Sequence, residues 1–147
     1  MTYTIKQVAE KTGLSIYTLR FYDKAGLLPF VARNQAGYRT FTDGDLLLLH
    51  TICCLKGVGM KISGIRHYIE LVMAGPDTVE DRRKLLTDLR TTVVEKQRQI
   101  AENLQHIDAK LHLYARPDAA KRVARKLAAA SANKADNGLE NPFAQHP

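Results

Sequence analysis

Residues 4–41 constrain the fold more than any other part of the chain. Thr4-Ile-Lys-Gln-Val-Ala-Glu-Lys-Thr-Gly-Leu-Ser-Ile-Tyr-Thr-Leu-Arg-Phe-Tyr-Asp-Lys-Ala-Gly-Leu-Leu is followed by Asn34-Gln-Ala-Gly-Tyr-Arg-Thr-Phe. The pattern predicts two short helices around a turn, then a small hairpin. That is a helix-turn-helix with a wing, an arrangement that places one helix in a DNA major groove. Thr4 with Gln7 forms a capping box. Ile5, Val8 and Ala9 share one helical face. Thr12-Gly13-Leu14 makes the turn, with Gly13 free to take positive φ, and Ser15 caps the second helix. Gly26 ends that helix and Pro29 keeps it from resuming. Asn34–Gly37 then joins two β-prone stretches, Val31–Arg33 and Tyr38–Phe41.

Candidate DNA contacts follow from position. Ser15, Tyr17, Thr18 and Arg20 lie in the first turns of the second helix, which a recognition helix presents to base edges. Arg20 can fork onto guanine or grip a phosphate. Tyr22 is either a phosphate contact or partly core. Arg33, Tyr38 and Arg39 belong to the wing, where they would touch the DNA backbone or enter the minor groove. A winged fold used for protein contact, with solvated arginines, is the alternative. The net charge of +7 favours an anionic partner. No apolar run is long enough to span a membrane, and Met-Thr-Tyr-Thr-Ile-Lys carries no signal-peptide core. The adjacent Cys53 and Cys54 cannot staple distant segments together, so a reduced, cytoplasmic setting is expected.

Thr42 and Asp45 begin a third helix, roughly 43–56, apolar on most sides and so expected to be buried on most sides. Gly57-Val58-Gly59 ends it. A fourth helix from Lys61 to Ala74 carries Ile62, Ile65, Ile69 and Val72 on one face, with Lys61 as a further phosphate contact. After Gly75-Pro76, Thr78 with Asp81 caps a long fifth helix. Its apolar positions are Leu86, Leu89 and Val93, then Ile100, Leu104, Ile107, Leu111 and Tyr114, the two frames joined by a stutter near Gln97. This stripe calls for a second copy, giving a homodimeric coiled coil, drawn here as antiparallel; an intramolecular core helix is the alternative. The expected organisation is a mainly α protein. Its parts are a winged helix-turn-helix DNA-binding domain with a β-hairpin wing over 1–76, a dimerisation helix over 77–115 and a basic, Ala-rich, flexible tail over 116–147. A short helix over 118–132 is expected within that tail, which holds six Lys/Arg against three Asp/Glu.

The stretches Ile5–Gly13, Ser15–Leu28 and Gly37–Phe41, together with the coiled coil, resemble the MerR family of transcriptional regulators over about residues 2–114. Thr18-Leu-Arg-Phe-Tyr-Asp-Lys-Ala-Gly-Leu-Leu and Gly37-Tyr-Arg carry most of that likeness. Cys54-Leu-Lys-Gly-Val-Gly-Met and Gly75-Pro-Asp-Thr-Val-Glu-Asp-Arg are most similar to the thiol-bearing NmlR/AdhR branch, associated with aldehydes and other electrophiles. The resemblance implies binding to double-stranded promoter DNA and activation by distorting an overlong spacer so that RNA polymerase engages. It also implies Cys54 as sensing thiol, with Cys53 unmatched. No cofactor and no enzymatic activity are expected. On residue chemistry alone, Cys54 reads first as an inert core cysteine, and near the end of its helix the dipole opposes thiolate formation; it is the resemblance that brings the sensor role level. As a sensor it would sit in a packed junction that an adduct overfills. A constitutive architectural regulator remains an alternative, as does a metal-responsive one. His50, Cys53 and Cys54 are too few ligands for a closed metal site without help from another chain.

Overall fold

The protein is described by a computed structural model that covers residues 1–145; the last two residues of the expected tail lie outside the described residues. The chain divides into two units, Met1–Val94 and Glu95–Pro147.

The first unit opens with strand β1 (Thr2–Tyr3) and helix α1 (Ile5–Thr12). Thr4 and Gln7 satisfy each other's backbone amides, at 2.9 and 3.3 Å. Gly13, at φ +74°, closes α1 by donating to the Ala9 carbonyl. Helix α2 (Ile16–Lys24) starts on Ser15, whose hydroxyl accepts the Thr18 amide at 3.0 Å. It ends in a left-handed turn at Gly26. There the Leu27 amide reaches back to the Tyr22 carbonyl at 2.9 Å and the Gly26 amide to Asp23 at 3.0 Å. Buried Leu27 packs in the same core as Tyr22, the apolar contact that accompanies this cap.

The wing consists of β2 (Ala32–Arg33) and β3 (Arg39–Thr42), paired Ala32 to Thr40 and Arg33 to Arg39. The Asn34 side chain accepts the amides of Ala36 and Tyr38, both at 3.0 Å, which fixes the turn. The expected hairpin is one edge of a three-stranded sheet in the order β1-β3-β2. β1 pairs Thr2 with Thr42 and Tyr3 with Phe41. Two residues are too short to show an alternating pattern, so β1 was not anticipated.

Helix α3 (Asp43–Gly57) begins with a reciprocal cap between Thr42 and Asp45. It buries Leu49, Ile52 and Leu55. Leu47, in contrast, is 73% exposed, so α3 buries one face rather than most sides. Helix α4 (Ile62–Met73) places Ile65 and Ile69 in the core. Val8, Leu19, Phe41, Leu49, Ile52, Ile65 and Ile69 form the centre of that core, all at 0% exposure.

Helix α5 (Val79–Tyr114) follows a 3-10 turn over Pro76–Thr78. Thr78 does not cap it as expected. Its hydroxyl is shared between the carbonyls of Leu71 (2.6 Å) and Gly75 (2.7 Å) and accepts from Arg82 Nε at 2.9 Å. Arg82 Nη2 also donates to Gly75 O at 2.7 Å. The carbonyls left over at the end of α4 need donors, and Thr78 and Arg82 supply them. Leu86 and Leu89 pack against the core of the first unit. Both remain partly buried rather than enclosed, a placement the intramolecular alternative also describes.

In the second unit, the later part of α5 exposes Ile100 (66%), Leu104 (53%), Ile107 (53%), Leu111 (61%) and Tyr114 (57%). Helix α6 (Ala119–Asp136) follows, opened by Asp118, which accepts from Arg116 and Arg122. It runs four residues past the expected 118–132, ending near Gly138 in the left-handed region. The residues expected to be a flexible tail are thus largely helical in this structure.

Candidate nucleic-acid interface and thiol face

The first turns of α2 carry the most exposed aromatic side chain of that helix, Tyr17, at 81%. Arg20, one turn on, is also exposed. The Ser15 hydroxyl donates to Thr18 Oγ1 at 2.9 Å while accepting the Thr18 amide. These two side chains therefore hold the helix start, and Ser15 is free to meet a ligand only through its exposed edge. Tyr22 lies in the core at 6% exposure, and burial pushes its hydroxyl pKa up. Of the two readings for Tyr22, core is the one its placement supports.

On the wing, Tyr38 stands 72% exposed. Arg33 Nη1 donates to the Gly37 carbonyl at 2.8 Å and stiffens the tip. Arg39 is not a free cation. It forms an ion pair with Asp23 of α2, with the two side chains only 18% and 25% exposed. The pair bolts the wing to the recognition helix. A cleft of about 730 Å³ lies beside it, lined by Tyr3, Gln7, Arg20, Asp23, Tyr38 and Arg39 among others. Asp23 was not singled out as functional from sequence. The signal available was a lone carboxylate on α2 amid Arg20, Lys24 and the wing arginines. Lys61, before the first turn of α4, is exposed.

The two cysteines differ as adjacent helical residues must, because they point about 100° apart. Cys53 is half-buried against the core. Burial first, and neighbouring Cys54 second, push its thiol pKa up. Cys54 is exposed, with its Sγ 3.7 Å from His50 Nε2 one turn back. Among the described residues, Leu47, His50 and Cys54 line an open face of α3, not the expected packed junction. The Val58 amide bonds to the Cys54 carbonyl, so Cys54 does occupy the last turn. Among the described residues, no three His, Cys, Asp or Glu side chains converge as a metal cluster. Nor is any helix among them long and apolar enough to cross a membrane.

A capped helix-turn-helix locked to a wing, with Tyr17, Arg20 and Tyr38 exposed, defines a winged-helix DNA-binding protein. Comparison with known proteins gives the family. The model described as "MerR HTH family regulatory protein" matches residues 3–71. An uncharacterized HTH-type transcriptional regulator of Haemophilus influenzae is 46% identical over 108 residues, covering 74% of this chain and 78% of that protein. AdhR of Bacillus subtilis, an HTH-type transcriptional regulator, is 36% identical over 91 residues, covering 62% of this chain and 65% of its own length. The crystal structure of HiNmlR, a MerR family regulator lacking the sensor domain and bound to promoter DNA, superposes with a TM-score of 0.73. It is 43% identical and covers 78% of this chain and 90% of that one. A MerR family regulator from Bacillus thuringiensis gives a TM-score of 0.72 at 39% identity, covering 76% of this chain and 98% of its own. The chain belongs to the MerR family and is a DNA-binding transcriptional regulator.

Proposed function

We propose that the chain binds a promoter operator as a homodimer and activates transcription by distorting an overlong spacer, in response to an aldehyde or related electrophile captured at Cys54. Two copies would present two recognition helices and two wings. Untwisting and bending DNA costs roughly 1–6 kcal/mol, and these paired contacts would supply it. Support for the dimer is the row Ile100, Leu104, Ile107 and Leu111, each more than half exposed and spaced as a heptad. An antiparallel pairing would carry the two DNA-binding units to opposite ends.

The observation that carries the sensing role is the contrast between exposed Cys54, with His50 Nε2 at 3.7 Å, and half-buried Cys53. As Cys54 Sγ attacks an aldehyde carbon, a C–S bond forms and the carbonyl π pair moves onto oxygen. His50 takes the thiol proton and returns it to that oxygen. The product is a hemithioacetal, with no change of oxidation state. Leu47, 73% exposed beside this pair, is an apolar face for a second copy to cover. Added volume at such a junction costs about 1–3 kcal/mol, the scale that biases a two-state equilibrium.

Transcription in vitro from a long-spacer promoter tests the reading. Wild type and Cys53→Ser should respond to aldehyde, and Cys54→Ser should bind the operator without responding. An unchanged response in Cys54→Ser would leave a constitutive regulator.

A further inference from the structure

We propose that the first two turns of α6 form a second, sequence-independent DNA-binding surface, which grips duplex phosphates through Lys121, Arg125 and Lys126. All three side chains are exposed. At about 100° per residue they fall, with Arg122, within about 140° of one helix face. The opposite face is occupied by the chain itself. Ala130, Ser131 and Lys134 are half-buried there, and Lys134 Nζ stands 5.9 Å from the ring centre of Phe143, in the turn over Pro142–Gln145. Asp118 accepts from Arg116 and Arg122. Lys121, Arg125 and Lys126 have no carboxylate partner among the described residues.

This placement of charge works against the helix. α6 has no acid in its first turn, so its cations face the positive end of the dipole. Lys121 with Arg125, and Arg122 with Lys126, are like-charge pairs four residues apart, which repel. A merely solvated helix face interleaves the two signs, as α5 does: Arg83 pairs with Glu80, and Arg98 with Glu95 and Glu102. A dense external anion relieves the repulsion on α6. Duplex DNA, which this regulator binds, offers one charge per about 1.7 Å of axis. A lipid surface fits less well, because Val123 and Leu127 are the only large apolar side chains on α6.

The test uses the full chain carrying Lys121→Gln, Arg125→Gln and Lys126→Gln together, substitutions that keep long, helix-favouring side chains. Anisotropy is read on operator and on random duplex between roughly 50 and 200 mM salt. Each phosphate contact contributes about 0.9 to the salt slope, so each α6 engaged accounts for about 2.7 on both duplexes. Over that salt range the variant should lose about fortyfold less affinity than the wild type, with its operator-to-random ratio unchanged. Lys84→Gln with Arg90→Gln and Lys96→Gln removes the same charge from exposed positions of α5 and should leave the slope near the wild-type value. An unchanged slope in the α6 variant, or equal flattening in the α5 variant, overturns the proposal. So does an α6 variant that binds DNA as the wild type does yet activates transcription poorly with polymerase, because the face would then serve a protein. No aldehyde enters the test, so the sensing role of Cys54 can fail without it.

Discussion

Removing Asp23 isolates what the bolt between wing and recognition helix does. Asp23→Asn keeps the shape and one acceptor but deletes the charge that faces Arg39. Exposed ion pairs contribute about 0–1 kcal/mol, while breaking a buried one by removing one partner costs about 3–5 kcal/mol. With side chains 25% and 18% exposed, the pair falls between, at about 2 kcal/mol. For a unit the size of residues 1–94 that corresponds to a melting point lower by roughly 8–16 °C. The DNA readout is more discriminating. A loosened wing should weaken operator binding, yet the released Arg39 becomes available to phosphates. The operator-to-random-DNA affinity ratio should therefore fall, and the salt slope on random DNA should steepen by about one. Replacing both partners, Asp23→Asn with Arg39→Met, should restore most of the stability, because no buried charge is left alone. Scanning fluorimetry and fluorescence anisotropy measure both arms. If Asp23→Asn melts like wild type and keeps its affinity ratio, the pair is not a bolt and Arg39 is simply a phosphate ligand.

Arg20→Ala should lower operator affinity by about 1–3 kcal/mol if its guanidinium reads a base; anisotropy with wild-type affinity would remove it from the interface. Leu104→Asp would bury an unpaired charge in the proposed dimer seam, so light scattering should report monomers that keep a folded head, whereas Leu86→Asp should unfold the head itself. A Leu104→Asp protein that stays dimeric would move the seam elsewhere. Tyr3 (through its hydrogen bond to Asp43), Tyr22 and Cys53 (both through burial) all have raised pKa values. The folded state therefore holds these protons more tightly than the unfolded chain. Stability should be full below about pH 8.5 and fall as pH climbs through the ordinary thiol and phenol values toward the raised ones. A melting point unchanged between pH 8 and pH 10.5 would contradict this.

Local chemistry explains what could be read from sequence alone. The caps at Thr4, Ser15 and Thr42 and the turn at Gly13 depend on residues within four positions of one another, and the structure forms each of them. Long-range partners were less legible. Asp23 and Arg39 are sixteen positions apart, and no periodicity links them, so from sequence Arg39 reads only as a wing contact to DNA. Thr78 had the right chemistry for a cap, but its hydroxyl is held by the Leu71 carbonyl of α4, the Gly75 carbonyl beyond it and Arg82. The stripe on α5 shows the limit most clearly. Spacings of three and four residues state only that one helical face must leave water, not whose side chains will cover it. Leu86 and Leu89 find cover in their own head. Ile100 to Leu111 carry the same pattern and are more than half exposed among the described residues. One periodic signal thus covers two different surroundings, and only the positions of the neighbouring elements separate them. The same holds for α3. Its run of leucines looked apolar all round, yet Leu47, His50 and Cys54 share the side left open.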